Sequence, residues 1–319
     1  MINLQGNVSI AGRDVIQIAD FDADQVRLIL DTAAELKNVL KRSIKKLPSL
    51  RGKAIVNLFF EPSTRTRSSF ELAGKYLGAD VISLNASTSS VVKGESVRDT
   101  LLTIESMAVD AMIIRHKSEG VPQFAAKVVK PIIINAGDGC HAHPSQALLD
   151  LLTIHQQKVP IDNLNQIKIA IVGDILHSRV ARSDIEIFKK FGADIHLAAP
   201  QTLLPRFVDP AVTVHQNVED AIRDADVVIV LRLQLERMQA GLIPSADEYS
   251  RFYGLDAQRL KLAKPDVLIM HPGPQNNGLE IAFDVNYSER SAIRDQVHNG
   301  LAVRMALLLL TLTGESGVL

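Results

Sequence analysis

The run Ser63-Thr64-Arg65-Thr66-Arg67 sets hydroxyl and guanidinium groups side by side, directly after an apolar segment, Ala54 to Phe60, and the break Glu61-Pro62. Phe70, Ala73 and Leu77 recur downstream at helical spacing, and Ser63 or Thr64 has the chemistry of an N-cap. The chain therefore passes from a strand through a tight turn into a helix whose first turn is hydroxyls and cations. A helix N-terminus carries about half a positive charge, so cations there cost roughly 0.3–1 kcal/mol each. Either the arginines point into water, or an anion sits between them and the exposed amides. Oriented N–H groups, hydroxyls and arginines together make a phosphate cradle. No G-x-x-x-x-G-K-S/T run occurs, so this is not a nucleotide P-loop, and a small phosphate compound is the expected anion.

Other groups invite chemistry as well. Arg115 closes the strand-like end of Met107 to His116, and an arginine there points into the crevice where open α/β sheets bind ligands. Between Gly137 and Gln146 lie Cys140, His141, His143 and Ser145. This cluster admits three readings. Cys140, His141 and His143 could ligate a metal, although no second ligand pair at zinc spacing is present. Ser145 beside His143 could be a nucleophile and base, although no G-x-S-x-G elbow exists. In the third reading His143 donates a hydrogen bond to a carbonyl oxygen and Gln146 binds an amide nitrogen. Arg179 and Arg232 follow two further apolar runs, and two guanidiniums in one cleft suit a small dicarboxylate, each taking a carboxylate bidentately. Gly173 stands alone without G-x-G-x-x-G, which argues against a dinucleotide. The polar stretch Asn85 to Ser96, with Lys93 as its one lysine, reads as a connector or a lid.

The elements that must position these residues alternate. Apolar runs at 54–60, 80–84, 128–136, 168–174, 194–200, 212–214, 226–231 and 266–270 read as strands, and 107–116 reads as a helix end and a strand terminating in Arg115, with helical periodicity between many of them. Asp22 and Gln25 open a packing helix as a capping-box pair. Such βαβ alternation predicts an α/β fold, with parallel doubly wound sheets whose sites lie at the strands' carboxyl ends. At 319 residues, two domains are expected. We place the boundaries at 1–146 with 298–319 for the first domain and 147–297 for the second. The helix from Leu148 leads into the second domain, and the helix over 297–312 returns to the first. Residues 238–264, broken by Gly241, Pro244 and Gly254, read as a flap.

Composition narrows the partners. A formal net charge of −1 draws neither nucleic acid nor an anionic membrane, so any anion site is a local pocket. One cysteine, Cys140, excludes an intrachain disulfide framework and fits a reducing cytoplasm. Met1 to Gly6 lacks the basic start and apolar core of a signal peptide, and the apolar run from Met305 to Leu310 is too short to span a bilayer.

Five motifs occur in one order: Ser63-Thr-Arg-Thr-Arg67 with Ser69-Phe-Glu71, Ser89…Lys93-Gly-Glu95, His143-Pro-x-Gln146, Arg232-x-Gln234-x-Glu236-Arg237 and His271-Pro-Gly-Pro274. In this the chain resembles the aspartate and ornithine carbamoyltransferases, and the last two motifs resemble the aspartate branch. The resemblance covers nearly the whole chain. It implies two α/β domains with the active site in the cleft between them, and transfer of a carbamoyl group from carbamoyl phosphate to the L-aspartate amine. The products would be N-carbamoyl-L-aspartate and phosphate, in pyrimidine synthesis. By the same resemblance Ser63, Thr64, Arg65, Thr66, Ser89, Arg115, His143, Gln146, Pro272 and Gly273 bind carbamoyl phosphate. Lys93, Arg179, Arg232 and Gln234 bind aspartate. Thr66, Arg115, His143 and Lys93 are catalytic. Ser89 and Lys93 would act in a neighbouring subunit, which implies a homotrimer, open to regulatory or dihydroorotase-like chains. No cofactor or metal is implied. Related bacterial sequences often carry arginine where this chain has Asn277, so that residue's family role is in doubt here. The rival expectations are another amine acceptor such as ornithine, and a non-catalytic assembly homologue.

Overall fold

A computed structural model describes residues 8–85, 95–234 and 241–313. It divides the chain into two compact units, 1–148 with 298–319 and 149–297.

The first unit opens with α1 (Ala23–Leu40). The expected capping pair forms: Gln25 N–H donates to Asp22 Oδ1 at 2.8 Å, and Asp22 N–H donates to Gln25 Oε1 at 3.1 Å. Then follow β1 (Ala54–Phe59), α2 (Thr64–Tyr76), β2 (Asp80–Asn85), α3 (Val97–Glu105), β3 (Ala111–His116), α4 (Val121–Val128), β4 (Ile132–Asp138) and α5 (Pro144–Gln157). The strands are near-continuous apolar runs because helices cover both faces of a parallel sheet. Their order is β2-β1-β3-β4, all parallel. Val56, Leu58, Met112 and Ile114 pack beneath Leu101 of α3 and Ala125 of α4.

The run from Val128 to Ala136 departs from the expectation of one strand. Val128 ends α4 and the strand starts only at Ile132, running on to Asp138. A short apolar run reads the same whether it ends a helix or begins a strand.

In the second unit α5 is followed by β5 (Lys168–Val172), α6 (Arg179–Lys190), β6 (Asp194–Ala198), β7 (Val212–His215), α7 (Val218–Ile222) and β8 (Val227–Val230). After these come α8 (Ala246–Tyr253), α9 (Ala257–Leu260), β9 (Leu268–Met270), α10 (Phe283–Asn286) and α11 (Ile293–Thr313). The sheet order is β7-β6-β5-β8-β9, again all parallel. Ala170, Val172, Val228 and Ile269 form its core with Val218 and Ile222 of α7. Part of the expected flap, residues 238–240, lies outside the described residues; the remainder carries α8 and α9.

From residue 298 onward α11 belongs to the first unit. Ala302, Val303 and Met305 to Leu310 are buried, as suits a helix apolar on every face. Among the described residues no helix is long and apolar enough to cross a membrane.

Candidate active site

Both sheets contain a point at which the winding reverses. In the first, the chain passes from β1 outward to β2, then crosses back to β3. In the second it passes from β5 outward to β6, then returns to β8. At such switch points the loops leaving the two strands diverge and open a crevice at their carboxyl ends. The candidate residues congregate there.

In the first unit, β1 leads through Glu61 and Pro62 into α2, whose N-cap is Ser63 in extended geometry. The Ser63 side chain makes no capping bond, and the first turn holds no acidic residue. The positive helix end therefore has no carboxylate within its own first turn, a setting that favours an anion. Thr66 is buried, while Thr64 and Arg65 are exposed at the mouth. Arg115 pairs in register with Phe59 across the switch point. Its Nη1 donates to the Ala136 carbonyl at 3.3 Å, and its Nε lies 3.2 Å from Glu61 Oε2. Arg115 is thus held beside the start of α2.

On the other side of β3, β4 ends at Asp138, which organises the loop to α5. Asp138 accepts from the Gly120 amide at 2.7 Å, from Asn135 Nδ2 at 2.8 Å and from the Ala142 amide at 3.2 Å. His141 Nδ1 lies 3.1 Å from the same carboxylate. That loop delivers His143 and Gln146, both buried, to the start of α5, where Pro144 costs no hydrogen bond. Ser145 is wholly buried. Among the described residues no group of three His, Cys, Asp or Glu side chains is arranged to hold a metal ion.

In the second unit Gly173 follows β5 with φ +126°, and a Cβ there would stand 2.7 Å from the Leu231 carbonyl oxygen. Only glycine lets the chain leaving β5 pass so close to the end of β8. Asp174, fully buried, accepts from the His177 amide at 3.1 Å and from the Gln234 amide at 3.4 Å. It thereby ties together the two loops that carry Arg179 and Arg232. Arg179 is buried in the first turn of α6, behind the N-cap Ser178, whose Oγ accepts from the Ala181 amide at 3.1 Å. Arg232 and Gln234 are partly buried beyond the end of β8.

Next to β8, β9 ends in His271-Pro272-Gly273-Pro274. The Gly273 amide donates to His271 Nδ1 at 2.8 Å, so the ring carries its proton on Nε2, facing Glu280 Oε1 at 3.2 Å. Asn277 Oδ1 accepts from Asn286 Nδ2 at 2.7 Å. Tyr249 is buried nearby, and burial together with the Glu280 and Asp174 charges pushes its hydroxyl far up from the usual phenol range.

The structure therefore gathers Ser63, Thr64, Arg65, Thr66, Arg115, His143 and Gln146 at the carboxyl edge of the first sheet. Arg179, Arg232, Gln234, Pro272 and Gly273 gather at that of the second. Ser89, Lys93, Glu236 and Arg237 lie outside the described residues. Glu61 and Asp174 do not stand out from sequence alone. Their one signal is an acid directly after an apolar run, a position shared with many surface acids.

Residues 13–156 match a family model described as aspartate/ornithine carbamoyltransferase, carbamoyl-P binding domain. Residues 165–311 match its companion, aspartate/ornithine carbamoyltransferase, Asp/Orn binding domain. The chain belongs to the aspartate/ornithine carbamoyltransferase family.

Carbamoyltransferase relatives support this throughout its length. The aspartate carbamoyltransferase catalytic subunit of Pelotomaculum thermopropionicum is 52% identical over 308 residues, 96% of this chain and 98% of that one. That of Desulforudis audaxviator is 51% identical over 304 residues, 95% and 98% of the two chains. Among solved structures, aspartate transcarbamoylase from Trypanosoma cruzi in complex with carbamoyl aspartate and phosphate superposes with a TM-score of 0.86. The identity is 29%, over 98% of this chain and 100% of that one. Ornithine carbamoyltransferase from Pyrococcus furiosus superposes with a TM-score of 0.85 at 31% identity, over 97% and 99%. The fold is common to both branches of the carbamoyltransferases.

Proposed function

We propose that this chain is the catalytic chain of an aspartate carbamoyltransferase, joining carbamoyl phosphate and L-aspartate to give N-carbamoyl-L-aspartate and phosphate for pyrimidine synthesis. The observation that carries the reading is the pairing of two anion sites of different chemistry. A hydroxyl-and-arginine helix start stands at one switch point, and two arginines with a glutamine stand at the other. Relatives named as aspartate carbamoyltransferase catalytic subunits, at 50–52% identity, support the same acceptor.

In this reading Ser63, Thr64, Arg65 and Thr66 hold the phosphate of carbamoyl phosphate, with Arg115 beside them. Gln146 holds the carbamoyl nitrogen, and the Pro272 and Gly273 carbonyls accept from substrate N–H groups. Arg179, Arg232 and Gln234 take the aspartate carboxylates. The neutral amine attacks the carbamoyl carbon, and charge builds on the carbamoyl oxygen. Thr66, Arg115 and His143 stabilise that oxyanion, a kind of interaction worth roughly 3–4 kcal/mol per donor. The C–O bond to phosphate breaks, and the departing phosphate takes the amine proton. Holding two substrates together supplies much of the acceleration.

Ser89 and Lys93 complete the site from a neighbouring subunit, which makes the working form a homotrimer in the cytoplasm. Regulatory or dihydroorotase-like chains are further partners compatible with this assembly. A phosphate-release assay with carbamoyl phosphate and a panel of amines tests the reading. Turnover with aspartate is expected; turnover with ornithine and not aspartate would overturn it in favour of the other branch.

A further inference from the structure

Asp150 on α5 and Asp184 on α6 are both wholly buried within the second unit. The Asp150 carboxyl is the charged neighbour that acts on Asp184. No N–H or O–H group of the described residues donates to either oxygen of Asp184. Two charged carboxylates in such a place would each be desolvated and would repel one another. Burial first, and the Asp150 charge second, push the Asp184 carboxyl far up from the usual carboxylate range. Among the described residues Asp150 is the one charged group that acts on it.

Asp150 keeps the negative charge because it has a donor: Gln296 Nε2, from α11, reaches its Oδ1 at 2.6 Å. The other end of the same amide, Gln296 Oε1, accepts from the His271 main-chain N–H at 2.9 Å. Beyond it the His271 ring receives the Gly273 amide and faces Glu280, as described above. Hydrogen bonds thus run from Asp150 through the Gln296 amide to the His271 main chain, and a separate one joins the His271 ring to the Gly273 amide. Asp184 stands at the Asp150 end of them.

We infer that Asp184 is a positioning residue for carbamoyl transfer: un-ionised, it donates its proton to Asp150, and through Gln296 the pair fixes the turn that presents the Pro272 and Gly273 carbonyls. This rests on the role proposed above for that turn. The glutamine orientation follows from the pair. A single charged carboxylate at Asp150 turns Nε2 toward itself, which leaves Oε1 for the His271 amide.

Infrared spectroscopy of the full chain, together with kinetics, tests the inference. The wild-type protein at about pH 8 is expected to retain the carbonyl stretch of an un-ionised carboxyl, and Asp184→Asn to lose it. Asp184→Leu removes the donor toward Asp150 and is expected to raise the KM for carbamoyl phosphate about tenfold, an effect that Asp184→Asn, which keeps a donor, reproduces only in small part. Equal KM values for wild type and a folded Asp184→Leu overturn the role. Gln296→Met cuts the hydrogen bonds through the amide at similar volume and is expected to raise that KM about tenfold while kcat changes far less. Gln296→Leu serves if the methionine variant fails to fold. A stretch unaltered by Asp184→Asn, or an unchanged KM in a folded Gln296 variant, overturns the inference. If the wild-type chain released no phosphate with any amine, the proposed function would fall, while the carboxyl band would still decide the shared proton.

Discussion

Arg115 Nε and Glu61 Oε2 stand 3.2 Å apart with side chains only 14% and 16% exposed, which couples the end of β3 to the turn that begins α2, the proposed phosphate cradle. Glu61 orients the guanidinium but also competes with any anion for it. Glu61→Gln keeps the shape and removes the charge. A hydrogen bond to a charged group contributes roughly 1.5–3 kcal/mol, so kcat/KM is expected to fall about tenfold to a hundredfold. Steady-state kinetics with carbamoyl phosphate and aspartate measure this, and a change of under about twofold would remove Glu61 from the site's support.

Arg232→Lys keeps the charge but loses the planar fork. The KM for aspartate is expected to rise about tenfold to a hundredfold, with that for carbamoyl phosphate nearly unchanged. Equal effects on both constants would show that Arg232 does not discriminate between the two substrates.

Much of this is legible in the amino-acid sequence. Unbroken apolar runs such as Ala54 to Phe59 specify buried parallel strands, and a polar or cationic residue at the end of such a run falls at the sheet's carboxyl edge by topology alone. Ser63, Arg115, Arg179 and Arg232 could therefore be placed by position and chemistry together. Asp174 and Asp184 could not. Asp184 is one charged residue among several in α6, and only the folded structure shows that it is wholly buried. The boundary at Val128 failed for a different reason: helix end and strand start share one composition, and long-range pairing at Ile132 decides between them.

Protonation supplies a third prediction. His116 is buried, its ring 4.8 Å from that of Phe60, and burial depresses its pKa below the ordinary 6.5. The folded state therefore binds this proton less readily than the unfolded one. Stability from this group is complete above the unfolded value and is lost as the pH falls toward the folded one. His215 is depressed for the same leading reason and adds to the slope. Melting temperatures between about pH 7.5 and 5 should fall for wild type and fall less for His116→Asn. Parallel curves would show that His116 does not contribute.

The proposed sharing of the site between subunits supplies a fourth. Lys93→Ala and Arg65→Ala chains, each inactive alone, should regain activity when mixed under conditions that exchange subunits, because some sites then combine two intact halves. Exchange confirmed by mass, with no activity recovered, would count against a lysine contributed in trans.

The division of the chain has a temporal consequence. Residues 149–297 form a continuous unit, whereas the first unit needs residues 298–313, whose buried leucines fill its core and whose Thr311 carbonyl receives the Gly12 amide at 2.9 Å. During translation domains fold as units once their segments have emerged. The later-coded unit can therefore mature first, while the phosphate-holding unit waits, half assembled, for a helix made more than a hundred residues after its own β4.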